Sequence, residues 1–562
     1  MKNFYYILNI IALFLIGQVQ KSYSQDWQWA ISCGKGTYDD YGTIAIDAEN
    51  NIYLTGNFGG NWGIFGQDTL LSVGYGGNYL MTMFCKMNTA GLFQWTKGIT
   101  SSGYPCNENL RPKVVTNSHF TGAWFYGRIC GIVNFESFHF EEMNKQVFIA
   151  KYDENGNCQW AKEAGGQGDD YSWEACVDDH GNIYLSGIVF DSAQFDSFRI
   201  GPGIFLAKYD ISGNCIWVNK IADHFFYVAG MAVNENQIIL VSESIGIGAM
   251  FTISGIPIDG SKSNLIMASY DTEGNVQWAK AEGEGGGFFL SAAGFDSQND
   301  FYITGGFANL ILGPDTLTPP EVGTGQQFVA KYDNNGNFGW ATKTAGGFQI
   351  TPAQICLDRS GNIFITGMLE PGEESETFGE CPVDITLGSR AIEMFVVRYA
   401  PEGACTGLMH VPVDSNFGVH KISAGTSVAT DSSGNCIVAG QFINSTVFNP
   451  YPLTSEGAKD IYIAKCNSIN GILQQDQSSD NRLVIYANPT AGTCNITVPN
   501  EFLREKQLTL RIYDGTGKLI QQKQLEMNGG KIKLNLDQEA KGIYNVTLSN
   551  GRKIYTGKII FQ

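Results

Sequence analysis

Charged residues are scarce in this 562-residue chain: Asp, Glu, Lys and Arg together make up 16% of it, whereas apolar residues make up 43%. Such a chain can bury enough surface to fold, which argues against intrinsic disorder. Cations are the scarcer charges, and the formal net charge is −19. Because duplex binding depends on Lys and Arg that neutralise phosphates, we expect no nucleic-acid partner.

Long apolar helices are also missing. No periodic helical pattern of more than a few turns follows residue 24, and no later run reaches 18 apolar residues, so we predict no transmembrane segment. Instead, 68 glycines stand among Asn, Asp and Thr and indicate many tight turns. The chain is too long for one core, so we expect several domains or a closed array of repeats.

Residues 1–24 have the pattern of a signal peptide. Lys2 precedes the apolar run 4–17, and the small residues Ser22 and Ser24 stand before Gln25. This pattern predicts cleavage after residue 24 and export of the chain. An uncleaved membrane anchor is the alternative, although the apolar run is short for a membrane span.

Motifs for catalysis and metal binding are lacking. The 6 histidines are scattered, none of the 13 cysteines lies in a zinc spacing, and there is no nucleophile elbow, Walker loop or dinucleotide fingerprint. We therefore predict no metal, no cofactor and no catalytic residue, while distant blades of a repeat fold can still assemble a site. Cys106 with Cys130, or Cys381 with Cys405, are candidate disulfides, but connectivity cannot be read from sequence.

One short segment recurs along the chain. Its copies resemble Asn-Ile-Tyr-Leu-Thr-Gly and lie at 51–56, 182–187, 300–305, 362–367 and 435–440, with weaker copies at 118–122 and 237–242. From Gly56 to Gly440 the seven copies span 384 residues, a mean period of 64. A period of this length indicates a repeat architecture.

Each repeat predicts four antiparallel strands, here called A to D. A short strand A ends in Asp or Asn, a Gly-Asn turn follows, and strand B is the recurring segment. An apolar strand C ends in Lys-Tyr-Asp, and a second turn leads to strand D with its Trp, as at Trp95 and Trp160. Seven such units predict an all-β fold, a seven-bladed β-propeller over residues 25–474. A linear β-solenoid is the competing architecture.

The seventh repeat lacks a Trp-bearing strand D. Residues 27–32, which contain Trp29, resemble the sequence around Trp160, so we expect them to complete the last blade and remove a free sheet edge. The repeats resemble the SBBP-type (seven-bladed propeller) repeats of exported bacterial proteins, through Asp-x-x-Gly-Asn-x-Tyr-x-Thr-Gly and Lys-Tyr-Asp-x-x-Gly-Asn-x-x-Trp. That resemblance implies a fold and says little about a ligand.

The composition changes after a polar linker at residues 475–482. Residues 483–562 contain 11 Lys and Arg against 6 Asp and Glu, whereas residues 25–482 contain 23 against 49. Five alternating runs separated by Gly-containing turns predict a small β-sandwich at 483–562.

This segment resembles the type A (Por) C-terminal sorting domain of the type IX secretion system of Bacteroidota. The matching residues include Asn488, Pro489, Thr490, Gly492, Gly542, Tyr544 and Lys558. The resemblance implies the type IX machinery as a partner and a secreted or cell-surface location. Ala487 departs from the family's opening proline, and an ordinary accessory sandwich is the alternative.

The loops between strand D of one blade and strand A of the next combine acidic and aromatic residues. We predict a ligand-binding face there, formed by Asp39, Asp40, Tyr41, Asp169, Asp170, Tyr171 and Trp173. The aromatic residues would stack on a ligand and the carboxylates would accept hydrogen bonds or hold a cation. The alternative is that the aromatic residues only fill gaps between blades.

The combined interpretation is a monomeric, exported propeller that binds a glycan or a protein without catalysis. A secreted polysaccharide hydrolase or lyase that uses the same face is the second hypothesis, for which paired carboxylates would be diagnostic. A structural component of a surface assembly is the third, for which a flat apolar patch would be diagnostic.

Overall fold

The chain is described by a computed structural model. It covers residues 27–34, 39–71, 80–102, 112–223, 226–243, 250–260, 265–283, 288–307, 310–317, 326–345, 349–370, 376–379, 381–383, 391–411, 421–467, 469, 471–472, 483–486, 493–498, 502, 507–513, 519–526, 531–536, 540–550 and 554–561. The predicted signal peptide, the linker, Cys106, the segment 488–490 and Gly492 lie outside these residues. Within them no helix is long and apolar enough to cross a membrane.

The all-β prediction is confirmed, and the chain divides into two compact units, 1–474 and 475–562. In the first unit the strands are β1 (Trp27–Cys33), then in blade 1 β2 (Asp39–Ile46), β3 (Ile52–Gly59), β4 (Trp62–Phe65), β5 (Asp68–Leu71), β6 (Leu80–Met87) and β7 (Phe93–Ser102). Blade 2 has β8 (Lys113–Val115), β9 (Ala123–Phe135), β10 (Phe138–Tyr152) and β11 (Cys158–Gly166). Blade 3 has β12 (Tyr171–Val177), β13 (Ile183–Val189), β14 (Ala193–Phe195), β15 (Phe198–Ile200), β16 (Gly203–Tyr209) and β17 (Cys215–Ala222).

The remaining blades repeat this plan. Blade 4 has β18 (Tyr227–Val233), β19 (Gln237–Glu243), β20 (Met250–Ile253), β21 (Ile256–Asp259), β22 (Leu265–Asp271) and β23 (Val276–Glu282); blade 5 has β24 (Phe288–Phe295), β25 (Phe301–Phe307), β26 (Leu310–Leu312), β27 (Asp315–Leu317), β28 (Gln326–Tyr332) and β29 (Phe338–Ala345). Blade 6 has β30 (Gln349–Leu357), β31 (Ile363–Glu370), β32 (Glu376–Phe378), β33 (Cys381–Val383), β34 (Ala391–Tyr399) and β35 (Cys405–Val411); blade 7 has β36 (Lys421–Thr430), β37 (Cys436–Phe442), β38 (Ser445–Phe448), β39 (Tyr451–Thr454) and β40 (Asp460–Cys466), and β41 (Gly471–Ile472) follows it.

In blades 1 to 6, strands A to D form an antiparallel sheet in chain order. In blade 3 one row of paired residues crosses the sheet from Cys176 to Tyr184, Lys208 and Trp217. In six blades two further short strands form a hairpin between strands B and C, and in blade 2 the long β9 and β10 continue into the equivalent hairpin. These hairpins reach the outermost strand of the preceding blade, as where Gly165 of β11 pairs with Gln194 of β14.

The blades close into a ring. Each innermost strand contacts the innermost strand of the next blade, and β36 of blade 7 contacts β2 of blade 1. At this junction the Ile44 N–H donates to Ser427 Oγ at 2.9 Å. Because an open stack would leave the first and last blades apart, the linear solenoid is excluded and the seven-bladed propeller is confirmed.

Strand D of the last blade comes from the N-terminus. β1 pairs antiparallel with β40, and Trp29 lies opposite Lys465. The same pairing of strand D Trp with strand C Lys occurs between Trp160 and Lys151 in blade 2. The N-terminal strand therefore occupies the register of a strand D.

The prediction for strand B of blade 2 was wrong. Residues 118–122 form the turn after β8, and strand B begins at Ala123, so that Trp124 pairs with Val115. Thr121-Gly122 matches the Thr-Gly at the end of the recurring segment in other blades. Gly122, however, lies in a turn: it has a φ of 97°, and its N–H donates to Tyr53 OH at 3.1 Å. The strand B glycine of this blade is Gly127.

The second unit is a small β-sandwich, as predicted. Its strands are β42 (Val484–Tyr486), β43 (Thr493–Thr497), β44 (Gln507–Tyr513), β45 (Leu519–Glu526), β46 (Lys531–Asn535), β47 (Gly542–Ser549) and β48 (Ile554–Phe561). One sheet has the order β42-β43-β46 and the other has β45-β44-β47-β48. Ile496 and Leu534 of the first sheet pack in one core with Leu510 and Val546 of the second.

Candidate functional site

A cavity of about 300 Å³ lies between the strands of blades 1 to 4 that border the ring axis. Its lining comes from four consecutive blades: Thr43, Pro112, Lys113, Tyr126, Gly127, Arg128, Tyr171, Ser172, Trp173 and Tyr227. Several of these residues stand at the first positions of strand A, next to the loops that join one blade to the next. This volume is at the lower end of the range for small-molecule sites, which are usually lined by aromatic residues with a few polar groups.

Tyr171, one of the predicted site residues, forms part of the lining and stands between two cations. The guanidinium of Arg128 lies 5.0 Å from the centre of the Tyr171 ring, and Lys145 Nζ lies 5.4 Å from it. Lys145 Nζ also donates to Tyr171 OH at 3.2 Å. Phe190 packs edge-on against the same ring at 5.9 Å. These contacts fix the ring while the cavity borders it.

Trp173, another predicted residue, lines the cavity with Tyr227 of the next blade. Their rings contact each other at 5.5 Å with an interplanar angle of 66°. The Tyr227 side chain is 44% exposed. Trp173 also packs against the hydrophobic core between the blades, whereas Tyr227 is more exposed than an aromatic residue that only filled a gap between blades would be.

Lys113 begins the short strand β8 and brings a positive charge to the cavity. Its Nζ donates to the Trp173 carbonyl oxygen at 3.0 Å and also forms an ion pair with Glu174. Burial alone would lower the pKa of the Lys113 ammonium, but the Glu174 carboxylate outweighs that effect and holds the pKa above its usual range. Lys113 is therefore a cation at neutral pH.

The carboxylates of two predicted acidic residues accept hydrogen bonds from nearby backbone N–H groups. Asp39 is buried and accepts the Gly59 N–H at 3.3 Å. Asp170 is buried too, and its two carboxylate oxygens accept the N–H groups of Gly166 at 2.8 Å and Phe190 at 3.0 Å. Burial, supported by nearby acidic residues, raises the pKa of Asp170 to about 6.

The other predicted acidic residues have different positions. Asp169 accepts the Lys145 N–H at 3.1 Å, and its second oxygen lies 3.5 Å from Lys145 Nζ. Asp40 and Tyr41 lie on β2, where Asp40 pairs with Asn57, and their side chains are outside the described part of the structure. Of the five predicted residues whose side chains are described, Tyr171 and Trp173 line the cavity.

Sequence reasoning missed the cations, and one of them was hidden by a specific error. Arg128 follows Gly127, the strand B glycine of blade 2, and so corresponds to Asn57 after Gly56 in blade 1. Because strand B had been placed at 118–122, Arg128 was not assigned to the end of the blade that borders the cavity. A correct alignment on Trp124 would have found it.

The acidic hairpins that superficially resemble calcium loops are self-capped turns. Asp153 Oδ1 accepts the N–H groups of Asn155 and Asn157, each at 2.9 Å, and Asp333 repeats this arrangement. Burial alone would raise the pKa of Asp153, but these hydrogen bonds hold it below its usual value. In the described ranges no group of three or more His, Cys, Asp or Glu residues could hold a metal ion.

A pair of interacting carboxylates is found away from the cavity. Burial and the neighbouring Glu142 raise the pKa of Glu163 to about 7. Both residues lie on the outer strands β10 and β11 of blade 2, and the described residues that line the cavity include no acidic one.

Cys381 and Cys405 form a disulfide between β33 and β35, as one of the two candidate pairs predicted. Cys130 is also disulfide-bonded. The remaining described cysteines are free thiols, and most are buried.

Comparison with known proteins identifies the C-terminal unit. Residues 484–562 match the family described as secretion system C-terminal sorting domain. The match supports secretion or a cell-surface location and an interaction with the type IX machinery. Gly542 and Tyr544 lie on β47 and Lys558 lies opposite Asn545 on β48, so these predicted motif residues are on paired strands.

A distant relative matches part of the chain. An uncharacterized WD repeat-containing protein, L264 of Acanthamoeba polyphaga mimivirus, is 24% identical over 450 residues, which cover 64% of this chain and 30% of that protein. The chain thus spans less than a third of that relative's length.

Two solved structures are similar at low scores. Puromycin hydrolase is 9% identical with a TM-score of 0.40, covering 84% of this chain and 61% of that one. Lignostilbene dioxygenase of Pseudomonas brassicacearum is 10% identical with a TM-score of 0.35, covering 79% of this chain and 94% of that one. These scores carry no argument about activity.

Proposed function

We propose that this secreted or surface-displayed propeller binds a glycan or a protein ligand, without catalysis, in the cavity lined by Tyr171, Trp173 and Tyr227. The observation that carries the proposal is the aromatic wall itself: three aromatic side chains from adjacent blades border one cavity, and one of them, Tyr227, is 44% exposed. A cavity with aromatic walls and a few fixed polar groups is the usual form of a binding site.

A glycan is the ligand class that fits this wall best. The face of an aromatic ring carries partial negative charge, so it attracts the weakly positive C–H groups on the flat side of a sugar. The hydroxyls of the sugar could use the Tyr227 and Ser172 hydroxyls at the edge of the cavity. A protein ligand is the second candidate, because one of its exposed side chains could make the same contact with the aromatic wall.

The polysaccharide hydrolase or lyase hypothesis has less support. A glycosidase of the common type needs two carboxyl groups on either side of the bond that it cleaves. Among the described residues, no acidic side chain lines this cavity, and the carboxylates of Asp39 and Asp170 accept hydrogen bonds from nearby backbone N–H groups.

The test is a binding screen of the full-length chain against glycans, combined with an assay for cleaved products. Tyr171→Ala and Trp173→Ala should each abolish the binding found for the native chain while the melting temperature changes little. Phe198→Ala is the matched control, because Phe198 is an exposed aromatic residue on β15 that does not line the cavity. A large loss of stability in the two test variants without a change in binding would instead assign these rings to packing between blades.

Several parts of the interpretation stay proposals of the same kind. We propose that residues 1–24 are a cleaved signal peptide, that the repeats are of the SBBP type, and that the source is a member of the Bacteroidota. N-terminal sequencing of the exported chain should find Gln25 as the first residue. A retained Met1 would contradict the cleavage.

A further inference from the structure

We infer that Cys436 and Cys466, which are thiols in the structure, are joined by a disulfide in the exported protein. The inference concerns the blade that closes the ring and does not depend on the ligand proposed above. It is carried by the place of the two residues in the repeat and by their positions in the sheet.

Both cysteines depart from the repeat, and they do so at facing positions. Cys436 is the first residue of strand B in blade 7 and pairs with Cys466, whereas in blade 3 the equivalent pair is Ile183 with Tyr209. The pair is also Ile with Tyr in blades 4 and 6, Phe with Tyr in blade 5, Ala with Tyr in blade 2 and Ile with Met in blade 1. Two thiols fill less of a core than Ile and Tyr, so the exchange loses packing contacts. A covalent bond between the two strands would offset that loss.

The sheet holds the two cysteines in a position to react. Facing residues of an antiparallel pair have side chains on the same side of the sheet and Cα atoms about 4.5–5.5 Å apart. A disulfide needs a Cα separation of about 4.4–6.8 Å, so the register already satisfies it. The Cys466 thiol also reaches its partner, because it donates to the Cys436 carbonyl oxygen at 3.6 Å.

A third cysteine defines the competing product. Cys356 lies on β30 of blade 6 and packs against the same hydrophobic core as Cys436 and Cys466. It belongs to another blade, whereas Cys436 and Cys466 face each other on neighbouring strands. The register therefore favours the bond within blade 7.

The chain meets an oxidant, because Cys381 and Cys405 are joined. The reagent class for the second bond is a thiol–disulfide exchange protein in its oxidised form. One cysteine thiolate attacks the disulfide of this reagent, forms a mixed disulfide and releases the first sulfur of the reagent as a thiol. The second cysteine thiolate attacks the mixed disulfide and releases the other sulfur. Two electrons and two protons thus pass to the reagent, which leaves as a dithiol.

The bond must form before blade 7 is complete. Both sulfurs are buried, and Trp27 of β1 lies opposite Cys466 in the finished sheet. Burial, together with the neighbouring Cys466, holds the pKa of the Cys436 thiol well above its usual value. Because the attacking species is a thiolate, exchange is suppressed once the blade has packed.

The test maps the cysteines of the chain as secreted by a host that carries the type IX machinery. N-ethylmaleimide in guanidinium chloride blocks the free thiols, and the chain is then digested with trypsin without reduction and analysed by mass spectrometry. We expect a peptide that links Cys436 to Cys466, alongside the link between Cys381 and Cys405.

Cys176 is the matched control in the same digest. It is a buried thiol of blade 3 that faces Tyr184, so it should carry the maleimide. Maleimide on both Cys436 and Cys466 would overturn the inference. A link from either of them to Cys356 would overturn it too.

The double variant Cys436→Ile with Cys466→Tyr separates the bond from the packing, since it restores the pair of blade 3 and removes both sulfurs. A phosphine reductant should lower the melting temperature of the native chain by several degrees more than that of this variant. Cys176→Ala removes a buried sulfur without a facing cysteine, so its loss in reductant should equal that of the native chain. Equal losses in the native chain and the double variant would contradict the bond. If the double variant does not fold, the peptide map of the native chain decides.

Discussion

The indole of Trp160, on the outermost strand of blade 2, covers Gly213 in the turn between strands C and D of blade 3. A Cβ added to Gly213 would lie 2.6 Å from the ring, and Trp160 Nε1 donates to the Ile211 carbonyl oxygen of the same turn at 3.0 Å. The same pairing joins successive blades at Trp29 with Gly91, Trp95 with Gly156, Trp217 with Gly274, Trp278 with Gly336 and Trp340 with Gly403. The Trp of strand D in one blade and the Gly of the turn between strands C and D in the next blade therefore form one recurring contact between blades.

Gly213→Ala should test this interaction. Gly213 has a φ of 83°, so alanine there should lower the free energy of unfolding by roughly 1–2 kcal/mol because of the left-handed backbone. Displacement of the Trp160 ring should lower it by roughly a further 1–3 kcal/mol. Gly255→Ala is the matched control, because Gly255 has a φ of 85° and no atom within 4 Å of an added Cβ. Urea unfolding of both variants isolates the contact with the indole. Equal losses of stability would mean that the ring moves aside freely.

Removal of the Cys381–Cys405 disulfide should destabilise the propeller. The two cysteines are 24 positions apart, and opening a loop of that length costs about 2–4 kcal/mol in the unfolded-state description. We expect the double variant Cys381→Ala with Cys405→Ala to melt at a lower temperature. Cys215→Ala is the control, since Cys215 occupies the position of Cys405 in blade 3 with a free, buried thiol. A similar loss in the control would assign the effect to the buried sulfur.

Asp170→Asn should change how stability depends on pH. The pKa of Asp170 is about 6 in the folded chain, above its value when unfolded, so its contribution to stability is full below about pH 4 and is lost as the pH rises through 6. Asparagine does not titrate. Relative to the native chain, the free energy of unfolding of the variant should therefore rise by roughly 2 kcal/mol between pH 4.5 and pH 7.5. Parallel stability profiles for the two proteins would contradict the raised pKa.

Deletion of β1 should open the last blade. It would leave the outer edge of β40 without its partner and would remove the Trp29 contact with Gly91. Because unpaired edges join other chains, we expect dimers or larger species by light scattering, together with a lower melting temperature. Trp29→Ala keeps the strand and removes only the indole, so it should lower the melting temperature without association. A monomeric deletion variant would show that the edge is protected in another way.

The architecture could be predicted because the repeats obey a strict register. The row that runs from Ala45 to Tyr53, Lys86 and Trp95 in blade 1 recurs in other blades, and it also identified residues 27–32 as a strand D. Such a row depends on pairing between strands that are close in the chain, and the recurring residue types at its positions can be recognised in the sequence. The hairpins between strands B and C were not predicted, because their short strands carry no common motif.

The candidate site could be predicted only in part. Tyr171 and Trp173 were found because they stand in an aromatic loop, but a cavity is made by residues that meet across blades. Lys113 and Arg128 come from β8 and β9 of blade 2 and contact Trp173 and Tyr171 of blade 3 because the two blades pack side by side. The spacing of these residues along the chain does not indicate that they contact one another. The buried role of Asp170 was equally hidden, since an acidic residue in a loop is usually solvated.

The pairing of β1 with β40 also has a consequence for how the propeller folds. The side chains of Gln28 and Asn467, which hydrogen-bond across this blade, are 439 positions apart. Six blades are formed by neighbouring segments, whereas the seventh needs the contact with the largest sequence separation, which has the largest loop-closure entropy and is expected to form slowly. Until β1 and β40 pair, each of them has an unpaired edge, which makes the incomplete ring prone to association with other chains.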